Sequence, residues 1–167
     1  MQGSDTLGLV TTAQLSHAHE LGADDFLVAF ETLAQAVRRA RGAAVQTGDQ
    51  DLTLSQYTLL RPLANRDRAQ VRELALDAGI AAPTATRILD GLERRELVTR
   101  TRSAQDRRAV NVSLTAAGND ALTRQTRWMR DRQRDFYASL PDIERELAPD
   151  LLLRLAGLID ELASGPE

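Results

Sequence analysis

Apolar residues recur at helical spacing along most of this chain. Between Asp24 and about Gln46 they fall at Phe26, Phe30, Leu33, Val37, Ala40 and Ala44, the rhythm that lays one stripe along a helix. Asp24 or Asp25 stands near its start, where helices favour such residues. Gly48-Asp49-Gln50-Asp51 breaks the pattern. A second helix is predicted to open over Leu52-Thr53-Leu54-Ser55-Gln56-Tyr57. Thr53 and Gln56 have the T-x-x-Q spacing of a capping box, with Leu52 and Tyr57 as a hydrophobic staple around it. Tyr57, Leu60 and Ala64 mark its apolar face. Pro62 must kink that helix or sit where a shift is tolerated.

A short helix is expected from Val71 to Ala78, with Leu74 and Ala75 inward and Gly79 as its left-handed stop. Another starts near Ala82-Pro83, where proline in a first turn sacrifices no hydrogen bond. Ala85, Ile88, Leu89 and Leu92 then follow i, i+3, i+4, i+7 as the buried stripe. The opposite face carries Pro83, Arg87, Asp90 and Arg94, flanked by Thr84 and Thr86. Two helices across a glycine-containing turn, the second with small polar residues and arginine outward, form a helix-turn-helix pattern. Leu97-Val98-Thr99-Arg100-Thr101-Arg102 is β-prone, and Val110-Asn111-Val112-Ser113-Leu114 alternates apolar with polar. With the polar turn 103–108 between them they predict a two-stranded wing.

Thr115 is the expected N-cap of a long helix to about Tyr137, with Leu122, Met129 and Phe136 on one face. Leu140-Pro141-Asp142 ends it and starts another, whose apolar positions are Leu147, Leu151, Leu155, Leu158, Ile159 and Leu162. Pro149 should kink or divide this last helix. Residues 1–21 show no sustained period and read as a flexible arm. The expected fold class is mostly α with a small β-wing: a winged helix-turn-helix over residues 50–115. Helices over 22–48 and 116–163 flank it. Their apolar faces must be buried somewhere, and a second copy of the chain is the economical answer.

Composition narrows the chemistry. Among 167 residues there is no cysteine, so disulfides and thiolate metal sites are excluded. No run of 18 apolar residues occurs, and the first residues lack the blocks of a secretory signal. A cytoplasmic location is therefore the expectation. There is no glycine-rich phosphate loop and no G-x-S-x-G elbow, so neither catalysis nor a cofactor is expected. His17 and His19, two apart in the arm, have spacing that fits a strand and are not read as metal ligands.

The formal charge of −3 hides an asymmetry. Residues 61–108 hold 11 arginines against seven acids, a net of +4, and the remainder nets −7. A basic middle in an acidic frame marks a local contact with a polyanion. The alternating charges of Arg38–Arg41 and Arg124–Arg134 read instead as salt-bridged helix surface. Trp128 and Met129 read as core or dimer packing.

Three stretches carry a family resemblance: LTLSQYTLLRPLA, VRELALDAGIAAPTATRILDGLERRELV and RTRSAQDRRAVNVSLTAAG. They resemble the MarR (multiple antibiotic resistance regulator) family of bacterial winged-helix transcription factors over roughly residues 50–120. The D-R-R-A turn followed by V-S-L-T-A-A-G is the most specific part. The resemblance implies a homodimer with interleaved terminal helices, facing one pseudopalindromic double-stranded operator. It also implies repression relieved by a small phenolic or anionic ligand bound between the lobes.

On that reading Ala82, Pro83, Thr84, Thr86 and Arg87 face base edges or phosphates in the major groove. Arg107 or Arg108 enters the minor groove, with Asp106 orienting Arg108. Arg66, Arg68, Arg100 and Arg102 position phosphates. Phe26, Phe30 and Tyr57 are the ligand-pocket candidates. Two residues depart from the family: Ala81 where it often has Ser, and Glu96 where it usually has Gly. Two other functions fit the same fold: a winged-helix protein–protein adaptor without DNA binding, and a DNA binder without effector.

Overall fold

A proline, two left-handed residues and one glycine shape the middle of the chain in the computed structural model, which describes residues 22–42, 52–102 and 110–165. Helix α1 spans Ala23–Gly42 and, with residues 53–55, forms one compact unit. The other unit holds helix α2 (Leu54–Leu60) from Gln56 onward, a 3-10 turn (Arg61–Asn65), strand β1 (Ala69–Gln70), helices α3 (Val71–Asp77) and α4 (Ala82–Arg94), strands β2 (Val98–Arg102) and β3 (Val110–Leu114), and helices α5 (Ala116–Ser139) and α6 (Asp142–Ser164). The expected mostly helical fold with a small β-wing is what forms. Residues 1–21, with His17 and His19, lie outside the described residues, as do residues 103–109.

Pro62 does not kink α2. It ends it, and sits in the first turn of the 3-10 segment where no donor is needed. The change of helical pitch also moves the apolar face. Leu59, Leu60 and Leu63 are buried, while Ala64 is exposed rather than part of the stripe. They join Leu74, Ala75, Ala85, Leu89, Leu92, Val98, Val112 and Leu122 in one core. Each leucine so buried contributes about 1.5–3 kcal/mol.

The wing has three strands, not two, in the order β1-β3-β2. Val98 pairs with Leu114 and Arg102 with Val110, while Ala69 pairs with Val112 on the other edge. β1 is two residues long, below the length at which alternation is visible. It runs straight into α3, whose N-cap is Gln70. The Gln70 backbone N–H donates to a Glu73 carboxylate oxygen at 2.8 Å, and the Gln70 side chain accepts from the third-position N–H. A capping box thus stands at Q-x-x-E, a variant with glutamine as cap.

Helices α3 and α4 end in the same way. The Gly79 N–H reaches the Leu76 carbonyl and the Ile80 N–H the Ala75 carbonyl, both at 3.0 Å. The Glu96 N–H reaches the Glu93 carbonyl at 2.9 Å and the Leu97 N–H the Leu92 carbonyl at 3.0 Å. Both are Schellman caps, and both require a left-handed residue. Gly79 supplies it at φ 63°, but Glu96 is forced to φ 57°. A side chain in that conformation costs roughly 1–2 kcal/mol. Glu96→Gly should therefore stabilise the protein by about 1 kcal/mol, seen as a rise of about 2–4 °C in Tm. A lowered Tm would mean the Glu96 side chain makes a compensating contact.

Thr115 caps α5 as expected, accepting from the Gly118 N–H at 3.0 Å. Its hydroxyl donates to the Glu96 carbonyl at 2.7 Å, and its N–H to the Leu97 carbonyl at 3.1 Å. The wing's return strand and α5 are thereby tied to the end of α4. Pro149 lies inside α6 without dividing it. No residue of α1 or α6 is buried, and Trp128 is exposed at 57% rather than in the core. Among the described residues no helix is long and apolar enough to cross a membrane.

Candidate nucleic-acid interface

α4 has two faces because its sequence does. Ala85, Leu89 and Leu92 are buried, with Ile88 partly buried beside them. That fixes the outward direction for everything between. Ala82, Pro83, Thr86 and Arg87 are exposed, and Thr84 is half-buried. The N-cap is Ala81, which offers no side-chain oxygen. Two features soften that lack: Pro83 has no N–H to satisfy, and the Thr84 N–H bonds the Ala81 carbonyl at 2.9 Å.

The Thr86 hydroxyl donates to the Ala82 carbonyl at 3.0 Å. Its proton is thus held by the helix, and what it offers outward is a methyl group and acceptor lone pairs. Such a surface suits a thymine methyl or an amino group on a base edge. Arg87 makes no ion pair among the described residues. Its five donors are free to fork onto guanine or phosphate.

The other arginines separate into two groups. Arg68 and Arg102 are exposed, with no ion-pair partner among the described residues. Arg66 is also exposed but bonds Asp77 at 3.1 Å, a surface pair worth no more than about 1 kcal/mol and easily exchanged for phosphate. Arg100 departs from expectation. Its side chain is only 19% exposed, with one terminal nitrogen 2.7 Å from Asp90 and the other 3.0 Å from the Thr86 carbonyl. Burial beside two carboxylates turns this guanidinium toward α4 instead of leaving it free for phosphate. Asp90, read from the sequence as an outward residue, is its partner. Asp90 and Glu93 place two negative charges on a helix otherwise suited to phosphate, which calls for a nearby cation, but the sequence does not say which one. Asp106, Arg107 and Arg108 lie outside the described residues.

Phe26 and Phe30 stack within α1, ring centroids 6.2 Å apart, and Tyr57 packs on the core of the second unit. None of the three lines the groove of about 390 Å³ between the 3-10 turn and α5. Ala64, Leu122, Thr126, Arg127, Arg130 and Arg134 are among the residues that line it. Arg134 is 3.7 Å from Asp131, in keeping with salt-bridged surface. Arg127 and Arg130 have no ion-pair partner among the described residues. Their spacing of three puts both on one helix face, a clue that the alternation of charge along this stretch obscured.

A family model described as the MarR family matches residues 52–110, from two residues before α2 to the start of β3. The HTH-type transcriptional regulator FarR of Neisseria gonorrhoeae is 31% identical over 114 residues, covering 68% of this chain and 78% of that protein. The uncharacterised HTH-type regulator YpoP of Bacillus subtilis is 32% identical over 93 residues, 55% of this chain. The aligned stretch spans 66% of YpoP. The transcriptional repressor CouR, solved bound to a 23-mer DNA duplex, superposes with a TM-score of 0.62 at 28% identity. The match covers 91% of this chain and 99% of that one. The proteins it resembles are regulators rather than enzymes.

Proposed function

The chain belongs to the MarR family of transcriptional regulators, and from that premise we propose that it is a dimeric repressor reading an inverted-repeat operator. The observation that carries this reading is the first turn of α4. Pro83, Thr86 and Arg87 stand exposed on a helix whose opposite stripe is sealed in the core. Residues 50–115 form the reading head, and Arg107 or Arg108 enters the minor groove beside it. Residues 22–48 and 116–163 form the dimerisation region, because α1 and α6 hold exposed apolar residues along their length. A second copy would bury them and set two reading heads about one DNA turn apart, roughly 34–36 Å. A bacterial repressor of this kind works in the cytoplasm, where its operator lies.

Release falls to a small phenolic or anionic ligand. The groove lined by Arg127 and Arg130 together with Ala64 and Leu122 supports that assignment, since guanidinium groups near apolar side chains suit an aromatic carboxylate. Phe26, Phe30 and Tyr57 lie outside the lining of that groove, so this assignment rests on its arginines.

A fluorescence anisotropy titration with the DNA upstream of the chain's own gene tests the reading. Affinity should fall by about 10³–10⁵ between 50 and 200 mM salt if six to ten phosphates are contacted. Arg68→Ala should weaken binding to every sequence alike and reduce the salt slope by about one charge. Arg87→Ala should cost about 1–3 kcal/mol on the operator and relax base preference at one position in each half-site. A benzoate-type carboxylate should release the labelled DNA. Absence of binding at low salt leaves the adaptor function; binding indifferent to carboxylates leaves the effector-free one.

A further inference from the structure

Arg100 joins the two parts of the reading head that must meet DNA together. It stands on β2, the strand that leads out into the wing, paired with Val112 of β3. Its side chain crosses to α4 and touches three successive positions of one helix face. One terminal nitrogen is 2.7 Å from the Asp90 carboxylate, the other donates to the Thr86 carbonyl at 3.0 Å, and Nε lies 3.7 Å from Glu93. Thr86, Asp90 and Glu93 are spaced i, i+4, i+7, so a planar fork lying along that face meets all three. The Nε–H is buried without a hydrogen bond, so closure of α4 against β2 by less than 1 Å would bring Glu93 within bonding distance.

Electrostatics argue against a phosphate role. Asp90, Glu93 and Arg100 together carry one net negative charge. Phosphate brought to that cluster meets repulsion, not a free cation. The geometry is that of a brace. We propose that Arg100 is a positioning residue, which holds the recognition helix at a fixed angle to the wing so that base readout and minor-groove contact occur in one register. This rests on the DNA-binding function proposed above. A site held within about 0.5 Å discriminates; one that rocks keeps its charges but loses its selectivity. The brace should therefore affect the ratio of operator binding to random-sequence binding, and leave the number of phosphate contacts unchanged.

Two variants test this on the full-length protein, using anisotropy with operator and random duplexes over a salt series. Arg100→Ala should weaken operator binding about tenfold, while random-sequence affinity and the salt slope stay within error of the parent. Asp90→Asn is the sharper case. As a brace partner it should also lose about tenfold on the operator at constant slope. If Asp90 merely restrains a phosphate-seeking arginine, Asp90→Asn should instead bind all DNA more tightly and steepen the slope by about one. Arg100→Lys keeps the charge but not the fork, and should recover only part of the loss. Far-ultraviolet circular dichroism on the same samples reports the folded fraction. Arg100→Ala losing operator and random binding equally, or reducing the slope by one charge, overturns the proposal. A parent protein that binds no DNA overturns the underlying function instead.

Discussion

Gly118→Ala should destabilise the protein by about 3 kcal/mol and lower Tm by roughly 10 °C. The reason is a backbone approach found at no other described glycine. A methyl group at Gly118 would lie within the van der Waals envelope of the Leu97 carbonyl oxygen, 2.9 Å from the Leu97 carbonyl carbon and 3.3 Å from its Cα. A carbonyl cannot step aside as the end of a flexible side chain can. This one also accepts the Thr115 N–H at 3.1 Å, while the Thr115 hydroxyl holds the Glu96 carbonyl at 2.7 Å. Moving α5 away would strain or break both bonds and loosen the end of α4 from the wing. Alanine's better helix propensity recovers at most about 1 kcal/mol. Gly91→Ala is the matched control. Its added methyl meets only the end of the Arg94 side chain at 3.8 Å, so it should stabilise α4 by about 0.5–1 kcal/mol. Equal melting temperatures for Gly118→Ala and the parent would show that the α5–β2 junction can relax.

The features legible in the sequence are those written in periodicity and punctuation. The stripe Ala85, Leu89, Leu92 and the stop at Gly79 both stand where spacing placed them. Glu96 is the informative case: a left-handed position held by a glutamate is visible only by comparison with a family that uses glycine there, and φ 57° is what the chain adopts. The misses have a common cause, which is that they depend on partners distant in sequence. β1 has two residues and exists because β3 offers a free edge. Ala64 left the apolar face because Pro62 changed the helix pitch, not because its own spacing was wrong. Arg100 looked like any arginine of a basic wing. Only the fold brings Asp90 and Glu93, ten and seven residues earlier, against its guanidinium. Spacing could assign arginines to a surface, but not divide those that are free from those already neutralised.

In the dimer proposed above, Leu151→Glu combined with Leu162→Glu should separate the protomers and weaken operator binding by about 10²–10⁴. Both leucines lie on α6, exposed at 49% and 65%, and neither belongs to the core. Within one chain a glutamate at either place meets only water, and glutamate is a good helix former. The winged core should keep its melting transition. Across a subunit interface each carboxylate would be buried without a partner, which costs several kcal/mol. The effect on DNA then follows from geometry alone. Two linked heads bind the second half-site as an intramolecular step, at an effective concentration of about millimolar. A single head loses that gain and about half of the phosphate contacts, so the salt slope should fall by about half. Sedimentation measures the mass, and anisotropy the affinity and slope, on the same preparation. Persistence of the double-mass species with operator affinity intact would place the subunit contact elsewhere than on α6. A protomer that still binds the operator at full strength would remove the need for a second reading head.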